Sequence, residues 1–223
     1  MAIDTWLLEQ HRLGLHPPTL RFYRWLPVAI SLGYHQSRYP EQWQHLVWDG
    51  RQVDLVRRPS GGRAVLHQGD LTYSVVAAGF VGSRMQVYQR ICEFLIQGWQ
   101  TLGVELTYGE AGRGYIHNPN CFGTATGADL VTPAGVKLIG SAQLRRGTAV
   151  LQHGSIRLTT SPELFHQVFG VELLPLPGDP PAWAELVEVL IAAAAETWGV
   201  DLTTQPLSPA EWQQIEAFVA KPQ

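Results

Sequence analysis

The hydrophobic period changes abruptly at one point in the chain, and that change fixes its class. Leu71, Tyr73, Val75 and Ala77 alternate with Thr72, Ser74 and Val76, the spacing of two that an extended strand turns into two faces. Residues 83–102 then place Tyr88, Ile91, Leu95, Trp99 and Leu102 on one helical stripe, closed by Gly103. A chain carrying both periods is mixed α/β. Its 223 residues, 45% of them hydrophobic, suffice for one domain with a real core, so a single unit over 1–223 is expected.

The remaining elements follow from local signals. Ile3, Trp6, Leu7 and Leu13 give an opening helix that ends before Gly14. Residues 19–25 and 28–32 read as strands divided at Leu26-Pro27, because Pro cannot serve in a central ladder. Strands at 54–58 and 64–67 precede the alternating one. After a long aperiodic loop at 109–127, further strands are expected at 128–131, 136–143 and 148–158. A helix starts at Ser161-Pro162-Glu163, another follows the stripe Trp183, Leu186, Val187, Leu190, Ala194 and Trp198, and the last opens on the capping box Ser208-Pro209-Ala210-Glu211. That last helix is expected to bury Trp212, Ile215, Phe218 and Val219.

Charge excludes some functions. The formal net charge is -3, and the Lys and Arg residues are scattered, not clustered, which argues against a nucleic-acid partner. No run approaches the roughly 18 apolar residues of a membrane span, and the N-terminus lacks the basic region and cleavage site of a leader. Cytoplasmic localisation is the expectation. Two cysteines make no disulfide framework, and neither they nor the eight histidines show metal-ligand spacing, so no metal is expected.

Three segments carry chemistry. Residues 57–67 read R-R-P-S-G-G-R-A-V-L-H, in which adjacent glycines admit a ligand close to backbone N–H groups and paired arginines offer planar donors to a phosphate or carboxylate. A bare Gly-Gly turn with exposed arginines reads equally well from these residues alone. No Gly-Lys-Ser/Thr follows, so this is not a Walker loop. The second segment is G-V-K-L-I-G-S-A-Q at 135–143, and the third is L-Q-H-G-S-I at 151–156.

In order and spacing the three together resemble the family of lipoate–protein ligases and octanoyltransferases, with M-A-I-D at 1–4 and I-S-L-G at 30–33 adding to the match. The resemblance implies a mixed, largely antiparallel sheet flanked by helices and a tunnel for a fatty acyl chain. It implies that Lys137 reaches the acyl carbonyl, and that Arg58, Ser60, Gly61, Gly62, Arg63, Ala64, His67, Gly140, Ser141, Ala142, His153 and Gly154 line the substrate site. His67 and His153 are either hydrogen-bonding groups that shape the pocket or satisfied structural histidines.

G-G-R-A-V-L-H followed by D-L-T-Y-S is similar to the octanoyltransferase branch acting on glycine-cleavage H protein, with Asp70 where Glu is the rule. That branch implies a nucleophilic cysteine at Cys121, in N-P-N-C-F. Loop placement exposes this thiol, and a neighbouring cation raises its thiolate fraction. Cys92 lies between Ile91 and Leu95 and reads as a buried hydrophobe. The implied chemistry is thioester exchange from octanoyl-acyl carrier protein onto Cys121, then attack by a lysine of an apo lipoyl domain or H protein, with no cofactor. The alternative is an ATP- and Mg-dependent lipoate or octanoate ligase. Ligases commonly add a C-terminal accessory domain, which is not expected here, whereas relatives usually have a strand upstream of M-A-I-D. A binding protein without turnover is the third reading, and Cys121 together with Lys137 argues against it.

Overall fold

The computed structural model describes residues 1–109 and 127–219. Its larger sheet has six antiparallel strands in the order β1 (Thr19–Tyr23), β7 (Asp70–Ala77), β11 (Ala149–Arg157), β10 (Lys137–Arg146), β9 (Asp129–Val131) and β8 (Thr107–Tyr108). A smaller sheet places β2 (Ala29–Leu32) between β5 (Asp54–Arg57), parallel to it, and β6 (Val65–His67), antiparallel. A hairpin of β3 (Val47–Trp48) and β4 (Arg51–Gln52) completes the strands. The division at Leu26-Pro27 proves larger than a break in one ladder, because β1 and β2 belong to different sheets.

Helices cover both faces of the large sheet. α2 (Arg84–Thr101) and α4 (Trp183–Trp198) pack on one side, where Leu71, Tyr73 and Val75 meet Ile91, Phe94, Leu95, Leu186 and Leu190. Gly98 lets the two helices touch, since a Cβ there would lie 2.7 Å from Leu190 Cδ2. On the other side α1 (Ala2–Arg12) and α5 (Pro209–Val219) bring Trp6, Leu7, Leu8 and Ile215 against Val76, Ala149 and Leu151. α3 (Pro162–Phe169) seals the small sheet with Leu164, Phe165 and Val168.

The helix starts obey their capping signals. Ser83 and Gln86 form a reciprocal box on α2, Ser161 caps α3, and Ser208 exchanges hydrogen bonds with Glu211 at α5. α5 departs from its expected burial. Ile215 is buried, but Trp212 is 45% and Val219 56% exposed, because only one face of α5 packs into the cluster that α1 forms on the sheet. Among the described residues, no helix is long and apolar enough to cross a membrane.

Candidate active site

The two sheets face each other across a cleft, and its walls come from segments far apart in sequence. Arg58, Gly62 and His67 contribute from the small-sheet side, Gly140, Ser141 and Ala142 from β10, and His153, Gly154 and Ser155 from β11. Antiparallel pairing of Ser141 with Gly154, and of Gly154 with Tyr73, sets the middle of the floor. Only glycine fits at 154, where a Cβ would stand 2.5 Å from the Tyr73 ring and 2.7 Å from Ser141 Oγ. Met1, Ser31, Val65 and Thr72 complete the lining, and none of these is expected from the sequence as a site residue.

The loop at 58–64 is held by its own arginine. Arg58 Nη1 donates to the Ser31 carbonyl at 2.9 Å, while Nη2 donates to the carbonyls of Gly61 (3.0 Å) and Arg63 (2.6 Å). Arg57 Nη1 does the same for the carbonyls of Gly33 and Gln36, each at 2.9 Å. Both guanidiniums therefore organise backbone, a use that a planar fork serves as well as it serves anions. Gly62, at φ 98°, packs against Gly33, where a Cβ would fall 1.8 Å from the Gly62 carbonyl oxygen. Ala64 points away from the cleft, into the core of the small sheet.

Lys137 is buried at the start of β10, its Nζ 2.9 Å from Asp129 Oδ1 on β9. A buried charge requires such a partner. The ammonium lies along Gly140, where an added Cβ would be 3.1 Å from Nζ, so the glycine that lines the cleft also gives the cation its channel. Asp129 carried no signal in the sequence, because the β9–β10 register creates the pairing. Cys121 lies outside the described residues. Cys92 is fully buried on α2, and burial pushes its thiol up to about 11.

Each histidine stands between a serine and an aspartate. His67 Nε2 is 2.8 Å from Ser31 Oγ, and Nδ1 is 2.8 Å from Asp70 Oδ2. His153 Nε2 meets Ser60 Oγ, but Nδ1 is 3.7 Å from Asp4 Oδ2 and makes no hydrogen bond among the described residues. Asp4, fully buried on α1, instead accepts from Arg21, from Tyr23 OH (2.8 Å) and from Ser74 Oγ (2.9 Å). Burial opposes the Asp4 charge, yet the facing His153 ring and the Arg21 guanidinium hold its carboxyl well below the usual range. Burial pushes His153 down, and the nearby Asp4 carboxylate only partly offsets this. Among the described residues, no group of three His, Cys, Asp or Glu is placed to hold a metal.

The model of the lipoyl protein ligase A/B catalytic domain matches residues 1–173. The octanoyltransferase LipM of Kyrpidia tusciae is 34% identical over 249 residues, covering 99% of this chain and 90% of its own. That of Moorella thermoacetica is 46% identical over 165 residues, 71% of this chain and 60% of the longer relative. A crystal structure of lipoate-protein ligase A bound with ATP superposes with a TM-score of 0.79 at 22% identity, covering 99% of this chain and 88% of that one, which establishes the shared fold.

Proposed function

The chain belongs to the lipoyl protein ligase A/B catalytic-domain family, and from that membership we propose that it is an octanoyltransferase of lipoate biosynthesis. One observation carries this reading: relatives alike along nearly its whole length are octanoyltransferases. The enzyme is an acyltransferase that takes an acyl group from a donor and places it on a lipoyl-domain acceptor. Octanoyl-acyl carrier protein is the donor that suits a thioester route, and a lysine of an apo lipoyl domain or of H protein is the acceptor.

Two side chains carry the chemistry. Cys121, assigned from its N-P-N-C-F context alone, receives the octanoyl group by thioester exchange, which is nearly isoenergetic and requires no nucleotide. Lys137, fixed by Asp129 and channelled along Gly140, offers its ammonium to the carbonyl oxygen as negative charge develops there. Backbone N–H groups of the Gly61–Gly62 loop supply further donors, and the arginine staples keep that loop in place before substrate arrives.

The test is intact-protein mass after mixing with octanoyl carrier protein and no ATP. One octanoyl mass is expected on the chain, removable by hydroxylamine and absent in Cys121→Ser, which also loses transfer to an apo lipoyl acceptor. Acceptor modification by Cys121→Ser that demands ATP and free octanoate would instead make the protein a ligase.

A further inference from the structure

Amide formation at this site poses a proton problem that the cysteine and lysine do not solve. An acceptor lysine is an ammonium at neutral pH and attacks a thioester only as the free amine. Two protons therefore leave that nitrogen: one before attack, to make the amine, and one as the C–N bond forms and the C–S bond breaks, which the departing sulfur takes up. Lys137 is paired with Asp129 as a buried cation, the wrong charge for accepting the first.

From the geometry of the cleft we infer that Ser31, His67 and Asp70 form the relay that takes the first of these protons. The inference rests on the octanoyltransferase reading. Asp70 Oδ2 is an acceptor with three donors around it: His67 Nδ1 at 2.8 Å, Ser155 Oγ at 2.7 Å and Thr72 Oγ1 at 3.3 Å. With the Nδ1 hydrogen committed to that carboxylate, His67 Nε2 keeps its lone pair for the Ser31 hydroxyl, 2.8 Å away. The ring cannot turn out of this arrangement. Trp25 stacks on it with centroids 4.1 Å apart and 17° between planes, and is anchored by its own Nε1 to Thr72 Oγ1 at 2.9 Å. Ser31 lines the same cleft as Gly140, the residue against which the Lys137 ammonium lies, and its hydroxyl also accepts from Arg58 Nη1 at 3.2 Å, so the relay ends on the wall that an entering amine passes.

The step balances without another reagent. The lysine ammonium gives its first proton to Ser31 Oγ as the serine proton passes to His67 Nε2, and Asp70 stabilises the resulting imidazolium across Nδ1 until that proton is released to solvent. The second proton, shed by nitrogen as the amide forms, is taken by the thiolate that leaves. Ser31 touches the reacting amine, whereas His67 and Asp70 act through it.

A choice of nucleophile tests the relay. Enzyme acylated beforehand with octanoyl groups is mixed in a single turnover with an apo lipoyl domain, or with methoxyamine, which is already unprotonated near neutral pH. The acylated fraction of wild type is compared with that of H67Q, and of D70N as a second variant should the first fail to fold. The rate for the lysine acceptor relative to that for methoxyamine should fall about a hundredfold in the variants, the lower end for loss of a general base, and the pH dependence of that ratio seen in wild type should be lost. Equal slowing of both nucleophiles, or an unaltered lysine transfer, would overturn the relay. Failure of wild type itself to become acylated would instead remove the octanoyltransferase reading, and the relay with it.

Discussion

His67 and His153 occupy opposite walls of one cleft with the same neighbours, and they do different work. Each has a serine at Nε2 and an aspartate towards Nδ1. At His67 the carboxylate belongs to the next strand, three residues on, and sits at 2.8 Å. At His153 it comes from α1, its oxygens are already taken by Arg21, Tyr23 and Ser74, and the gap is 3.7 Å. A buried imidazole without a bonded anion stays neutral. His153 is therefore a latch, fastening Ser60 of the glycine loop to the large sheet, whereas His67 has what an imidazolium needs. Residue identity alone does not assign a role to a Ser–His–Asp trio; the carboxylate distance does.

The largest way to break the comparison is at Asp4. Asp4→Ala strands the partly exposed Arg21 guanidinium and the Tyr23 and Ser74 hydroxyls that donate to Asp4, so denaturant unfolding should show a loss of about 3 kcal/mol, the lower end for breaking a buried ion pair. Next comes the cation beside Gly140. Lys137→Ala should lower turnover at least about a hundredfold in a steady-state transfer assay, as for one lost oxyanion donor, and Lys137→Arg should not restore it, because a planar fork does not fit the channel along Gly140. Opening the latch itself costs less. Ser60→Ala strands His153 Nε2, with about 1–3 kcal/mol of stability lost and faster amide hydrogen exchange confined to residues 58–64.

The smallest effect is a matter of acidity. Burial sets the folded-state pKa of His153 below its ordinary 6.5, so the unfolded chain binds the proton first. Stability should be full above about pH 6.5 and decline as pH falls below it, a decline that His153→Gln flattens. Asp4, also depressed, adds its own loss only below its unfolded value of 3.8. Urea midpoints at pH 7.5, 5.5 and 3.5, compared between wild type and His153→Gln, separate the two.

What was legible in the sequence was whatever a contiguous segment encodes. The alternating strand, the α2 stripe and the three motif blocks place the cleft, because each block is one strand or one turn. What required tertiary structure was partnership. Asp129 meets Lys137 through the β9–β10 register, and Asp4 meets His153 through the docking of α1 on β11, a strand far from it in sequence. The arginines of the loop could face a ligand or a carbonyl by sequence alone, and they hold carbonyls. Thr72 and Ser74, the polar half of the alternating strand, are buried in the site instead of facing water. Two-residue strands such as β3, β4 and β8 are too short to show a period at all.

The contact between Gly33 and Gly62 also constrains how such a chain can change over generations. A side chain at 33 would collide with the Gly62 carbonyl, and a Cβ at 62 would lie 2.7 Å from Arg58 Nη2. Neither glycine can take a side chain while its neighbours stay where they are. A neutral walk through sequence space must move the loop as a unit or leave it alone, and the effects of substitutions there will not add. Divergence in this cleft is therefore channelled to residues that line it without supporting one another, of which Ala142 is one.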